Sequence, residues 1–391
     1  MNKPDYVKFY DGLLTESELR RAEEEIARHG QNLPPKPLQN MVGTAVGALP
    51  HAAKIALINH SGKTLEKQGH TLEDVTEKLN HKLFVLSHLE DRATPIADVA
   101  ELGMLFEKGK KEKWPTLVMV SNGNFVSPQN FADVFLAAKS LVPKLTSSLF
   151  PSQRERKKLV IAGSYFSKPH VYANARDTTA RYRELGLEKR KDDELSPAAE
   201  VTYYQLLDML LERRDDGSVM LEQGRPVLRE DADEILKHIV FFGYSAGHMT
   251  NKDAVRQLYH IIDQGHVAAY PSEPDNVFPM YSTTYKANKL ISGLRLIGIA
   301  GADRLDEKTT PPQAKEVVFL SDTDISTKLF GTRYRDNTQV IKLAMQDDQG
   351  AITDDIGNHA LASYMRALAS PVNKDKIKTA RVRLDDKILG Y

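Results

Sequence analysis

Ile239-Val240-Phe241-Phe242-Gly243-Tyr244-Ser245-Ala246-Gly247 is the stretch on which the fold turns. Its first four residues are β-branched or aromatic, the composition of a strand with both faces covered. The next five spell Gly-x-Ser-x-Gly, and from about Asn251 to Ile262 the apolar residues recur at helical spacing. The order is therefore strand, sharp turn, helix. Such a turn lifts the Ser245 side chain off the sheet, and glycines two places before and after it leave the turn free of Cβ clashes.

Working outward, the same alternation recurs. Apolar runs at Thr116–Val120, Lys158–Ala162, Leu294–Ala300, Val317–Leu320 and Val340–Ala344 read as further strands. Between and after them, helical stripes run through Phe131, Val134, Phe135, Ala138 and Leu141, across Pro197–Arg213, and over His359–Leu368. Strands alternating with helices imply a doubly wound, mostly parallel α/β sheet. Upstream, Thr15-Glu16-Ser17-Glu18 is spelled like a capping box and predicts an amphipathic helix from about residue 16. Pro34, Pro35 and Pro37 then interrupt it. Ala53–Ile58 reads as a strand, His70–Leu79 as a helix, and Leu83–Leu86 fits either. The expected organisation is an N-terminal helix and Pro-rich arm over 1–40, one α/β domain over 41–370 and a tail over 371–391. Residues 264–292, rich in Pro, Tyr and Ser around 268–285, are expected to form an inserted lid.

Composition narrows the function. The chain has 391 residues with 53 Lys+Arg against 53 Asp+Glu, a net charge of zero, which argues against a nucleic-acid partner held by its phosphates. There is no cysteine, so thiolate nucleophiles, disulfides and iron–sulfur ligation are excluded. Histidines 51, 60, 70, 81 and 88 crowd the front half without a metal-ligand spacing, and the expectation is no metal and no cofactor. Charges at residues 3, 5 and 8 stand where a secretory signal would be apolar, and no apolar run reaches the roughly 20 residues of a membrane span; a cytoplasmic location without a transmembrane segment is expected. The mixed-sign runs Lys108–Lys113 and Arg154–Lys158 read as solvated faces, with peripheral contact to an anionic membrane as the functional alternative.

A serine hydroxyl becomes a nucleophile only beside a base and facing donors for an oxyanion. The strand–turn–helix around Ser245, with acidic and histidine candidates downstream, resembles the α/β-hydrolase family, whose triad runs Ser, Asp or Glu, then His along the chain. The resemblance covers about residues 115–368 and implies a serine hydrolase acting on a small-molecule or lipid ester or thioester. It implies Ser245 as nucleophile and His359, in Gly357-Asn358-His359-Ala360-Leu361, as base. Asp324 after the Val317–Leu320 strand is the preferred acid, with Asp322 and Asp303 in reserve. Ala246 would give one oxyanion N–H and the loop at Gly123 and Asn124 the other; Gly163-Ser164-Tyr165 competes for that role. His248, on the helix entry, is expected to pack away from the serine. Tyr270, Phe278, Tyr281 and Tyr285 in the lid suggest an apolar acyl or aryl group. The alternative is a non-catalytic binding or interaction protein on the same scaffold.

Overall fold

The structure is a computed structural model, and it describes residues 83–87, 93–96, 105–123, 128–150, 159–164, 185, 187, 197–268, 283–301, 314–324, 338–345 and 361–385. The helix expected from residue 16, the strand at 53–58, the helix at 70–79, Asn124, residues 269–282, Asp303 and His359 lie outside these.

Among the described residues the main sheet contains eight strands: β1 (Leu83–Ser87), β2 (Ala93–Ile96), β3 (Thr116–Ser121), β4 (Leu159–Ser164), β7 (Ile239–Tyr244), β8 (Arg295–Ile299), β9 (Lys315–Leu320) and β10 (Thr338–Lys342). A separate two-stranded hairpin joins β5 (Leu221–Glu222) to β6 (Arg225–Pro226). The order across the main sheet is β10-β9-β8-β7-β3-β4-β1-β2. The six strands from β10 to β4 are parallel to their neighbours, and β1 is antiparallel to both β4 and β2. The run Leu83–Leu86, readable either way in the sequence, is thus strand.

The helices are α1 (Pro128–Leu145), α2 (Pro197–Leu210), α3 (Ala232–Lys237), α4 (Ala246–Asp263), α5 (Thr283–Ile291), α6 (Leu361–Ala369) and α7 (Lys374–Leu384). Alternation along the strands sorts the core into two halves. Val118, Val120, Val240, Phe242, Ile297, Ile299, Val317 and Phe319 face one side with residues of α1, α6 and α7. Leu117, Met119, Ile239, Phe241 and Leu296 face the other with α2, α3, α4 and α5. Every residue of β3 and β7 is buried, as expected where helices cover both faces. Trp114, just before β3, donates its indole N–H to the Glu107 carbonyl at 3.0 Å and meets Phe106 and His238 edge-on.

Right-handed crossovers explain the placement of α1 and α4. From β3 the chain steps through α1 to β4 on one side; from β7 it steps through α4 and α5 to β8 on the other. Steps in opposite directions with one handedness put their helices on opposite faces. The strand order reverses between β3 and β7, and in open α/β sheets the crevice at the C-terminal ends of the strands flanking such a switch is the favoured ligand position.

The structure departs from the sequence reading at several places. The helix after Ser245 begins at Ala246 rather than Asn251, and β9 begins at Lys315 rather than Val317. Within the stretch read as lid, α5 packs on α4 and buries Ala287, Leu290 and Ile291, so it is part of the core. Residues 374–384, read as tail, form α7, which packs on α1, β9 and β10 with Ala380 and Leu384 buried. Its other positions are largely charged, which hides the short apolar stripe from a periodicity count.

Candidate active site

Ser245 stands between β7 and α4 with φ 53° and ψ −124°. A non-glycine residue in the left-handed half of backbone space is strained and persists only when its surroundings over-determine it. Here the Ser245 N–H donates to the Ile299 carbonyl at 2.8 Å, and its carbonyl accepts the His248 N–H at 3.1 Å. The residue after β8, Ala300, is also left-handed, at φ 49°, and donates to the Phe319 carbonyl at 2.9 Å. Ser245 is the N-cap of α4, yet its side chain makes no capping bond to that helix. It keeps 9% of its surface exposed.

The elbow glycines are required by close approach. A Cβ on Gly247 would lie 2.1 Å from the Ser121 carbonyl oxygen, and one on Gly243 2.4 Å from the His248 Cα. Helix α4 therefore sits against the ends of its own strand and of β3 at distances no side chain allows.

Gly123 comes from the loop after β3 and faces the serine: a Cβ there would be 2.7 Å from the Ser245 Cβ and 3.3 Å from its Oγ. The switch-point crevice thus holds the Ser245 hydroxyl beside the backbone of the Gly123 loop. Asn122 braces that loop by donating Nδ2–H to the Gly123 carbonyl at 2.9 Å. Ala246 opens α4, and N–H groups in the first turn of a helix lack intrahelical acceptors and carry the positive end of its dipole.

The acid candidates differ in environment. Asp324 is fully buried, accepts the Tyr364 hydroxyl at 2.6 Å on Oδ2, and has its N–H bonded to the Ser321 carbonyl at 3.0 Å. Burial first, and the nearby Asp324 carboxylate second, push the Tyr244 phenol far above its ordinary range; a bond from the Leu361 N–H opposes them. The start of α6 therefore lies against the residue preceding Ser245. Asp322 is exposed and ion-paired to Lys342 at 2.7 Å. The structure thus brings Ser245, Gly123 and Ala246 together and sets Asp324 between Tyr244 and Tyr364.

His248 lies with its ring at Glu316, Nε2 to Oε1 2.7 Å. The sequence reading did not single out Glu316 or Lys252. Glu316 is wholly buried, Lys252 Nζ is 3.2 Å from its Oε1, and the Thr338 hydroxyl donates to Oε2 at 2.7 Å. Burial alone would raise the Glu316 carboxyl, but Lys252, His248 and Thr338 outweigh it and hold it at about 2. The available signal was a glutamate in phase with Val318 and Leu320 on a core-facing side of a strand.

Among the described residues no group of three or more His, Asp and Glu side chains could hold a metal ion, and no helix is long and apolar enough to cross a membrane. Compared with protein-family models and with curated proteins, the chain matches none.

Proposed function

We propose that this chain is a serine hydrolase of the α/β-hydrolase type that cleaves an ester or thioester by acyl transfer. The observation that carries the reading is the strained backbone of Ser245 at the strand–helix turn, with the Gly123 loop of the neighbouring strand against its hydroxyl. Ser245 attacks the carbonyl and His359 takes its proton. The N–H of Ala246 and one from the 121–125 loop hold the oxyanion; its collapse breaks the bond to the alcohol or thiol, which leaves with the proton from His359, and water then releases the acyl group as the acid. Asp324 orients His359. Two supports bear on the last two residues: Asp324 is a buried carboxylate near Tyr244, and α6, whose first residue Leu361 bonds to Tyr244, begins two residues after His359 in the chain. The aromatic residues Tyr270, Phe278, Tyr281 and Tyr285 favour an apolar acyl or aryl group.

The test is labelling with a fluorophosphonate probe, with the adduct located by mass spectrometry. An adduct on Ser245 that vanishes in Ser245→Ala is the expected result; no adduct where a control hydrolase reacts overturns the reading. If the native protein labels, untreated Asp324→Asn is expected to turn over ester about 10⁴-fold more slowly than the untreated native protein, the size seen when a triad histidine loses its orienting acid.

The second reading is a non-catalytic binding protein on this scaffold, in which Asp324, which accepts the Tyr364 hydroxyl, serves only as a structural partner. A carboxylate can accept several bonds, so that contact is compatible with either role. Unlabelled Ser245 together with an Asp324→Asn variant that only loses stability would select the binding protein.

A further inference from the structure

Glu316 is an unusual group to find wholly buried. It stands at the second position of β9, and its carboxylate touches three side chains from two other elements: His248 and Lys252 on α4, and Thr338 on β10. Buried ion pairs are poor devices for stability, because removing the charges from water costs about as much as their attraction returns. What such a cluster does well is specify one arrangement.

The arrangement it specifies here is the position of α4. His248 and Lys252 are one turn apart on the helix face that meets β8 and β9, the first of them three residues after Ser245. The His248 ring lies so close to Gly298 on β8 that a Cβ there would be 2.8 Å from its Cγ. The His248 backbone N–H, in turn, donates to the Ser245 carbonyl at 3.1 Å. A continuous path of contacts therefore runs from the Glu316 carboxylate, through His248, to the backbone of the strained serine. On the opposite flank, the Ser121 hydroxyl donates to Asn251 Oδ1 at 2.6 Å and fixes the same helix to β3.

We infer that Glu316 is a positioning residue for Ser245: by holding His248 and Lys252 from the β9 side it keeps the first two turns of α4 where the left-handed Ser245 backbone and the Ala246 N–H meet the substrate carbonyl. This inference rests on the hydrolase reading. It concerns the rate of the acyl-transfer step and not substrate affinity, because Glu316 is buried among side chains of α4 and β10.

The full-length chain and its Glu316→Gln and Glu316→Asp variants are compared by the rate of fluorophosphonate labelling at Ser245 and by kcat and KM for an ester the native protein accepts. Glu316→Gln keeps the shape and removes the charge. It is expected to slow labelling and to lower kcat by at least tenfold with KM within twofold, and Glu316→Asp, which restores the charge on a shorter arm, is expected to recover part of the loss. Phe241→Leu, a core change on the same face of the sheet, is the stability control and is expected to lower the denaturation midpoint while leaving the labelling rate of the folded protein unchanged. If the glutamine variant does not fold, Thr338→Val, which removes one of the bonds to the carboxylate, carries the test, with an expected loss in kcat of two- to fivefold. Native protein that labels at Ser245, together with a folded Glu316→Gln or Thr338→Val variant that labels and turns over at the native rate, overturns the inference and leaves the hydrolase reading standing. A loss that Phe241→Leu reproduces at equal destabilisation overturns it too. Native protein that does not label at all removes the hydrolase reading itself.

Discussion

The helix capped by Ser245 is held from two flanks that use different chemistry. Toward β3 the contacts are neutral and depend on fit: Gly247 lies on the Ser121 carbonyl and Asn251 accepts the Ser121 hydroxyl. Toward β9 they are charged, with His248 and Lys252 meeting the buried Glu316. Fit acts over tenths of an ångström and ignores pH, whereas a buried charge tolerates small shifts but depends on its ionisation and on every partner being present. One helix thus has a steric anchor and an electrostatic anchor, and they should fail under different insults.

The largest effect should come from the charged flank. Glu316→Ala leaves Lys252 and His248 buried without their carboxylate and is expected to cost about 3–5 kcal/mol, read from the denaturant midpoint. An unchanged midpoint would mean that water or a neighbouring group reaches the cluster. Next comes the steric flank: Gly247→Ala drives a methyl into the Ser121 carbonyl and should cost about 1–3 kcal/mol or more, with no dependence on pH. A pH-dependent cost there would merge the two anchors into one.

Acid separates the flanks directly. The Glu316 carboxyl is held at about 2 against an ordinary 4.5, so its contribution is complete above pH 4.5 and is lost as the pH falls through about 2. The native protein should therefore lose its advantage over Glu316→Gln across this window, measured by denaturation at a series of pH values, and a constant difference down to pH 2 would show that the carboxylate is not the anchor. Ser121→Ala removes one buried hydrogen bond and should cost about 1–2 kcal/mol. Smallest of all, Asp322→Asn breaks an exposed pair with Lys342 and should change stability by less than about 0.5 kcal/mol.

The same contrast explains what the sequence disclosed. The steric flank was legible where it is local, because Gly243, Ser245 and Gly247 are contiguous and a buried strand adjoins them. The helix start was read late because Gly247 and Thr250 are weak helix formers, and tertiary packing overrides that propensity. The charged flank joins residues 68 positions apart, so no periodicity could pair them, and Glu316 fell just outside the strand read as Val317–Leu320. Asp324 was legible as a carboxylate following β9, but its bond to Tyr364 spans 40 positions and belongs to the fold alone.

The indole of Trp114 gives the molecule an optical property of its own. It is the chain's one tryptophan, buried beside His238, the residue that leads into the strand preceding Ser245. Emission from that single chromophore will report the opening of the foot of β7, without interference from any other indole. A red shift coinciding with loss of fluorophosphonate labelling would mean that strand and elbow come apart as one cooperative unit; labelling lost before the shift would mark the elbow as the weaker part.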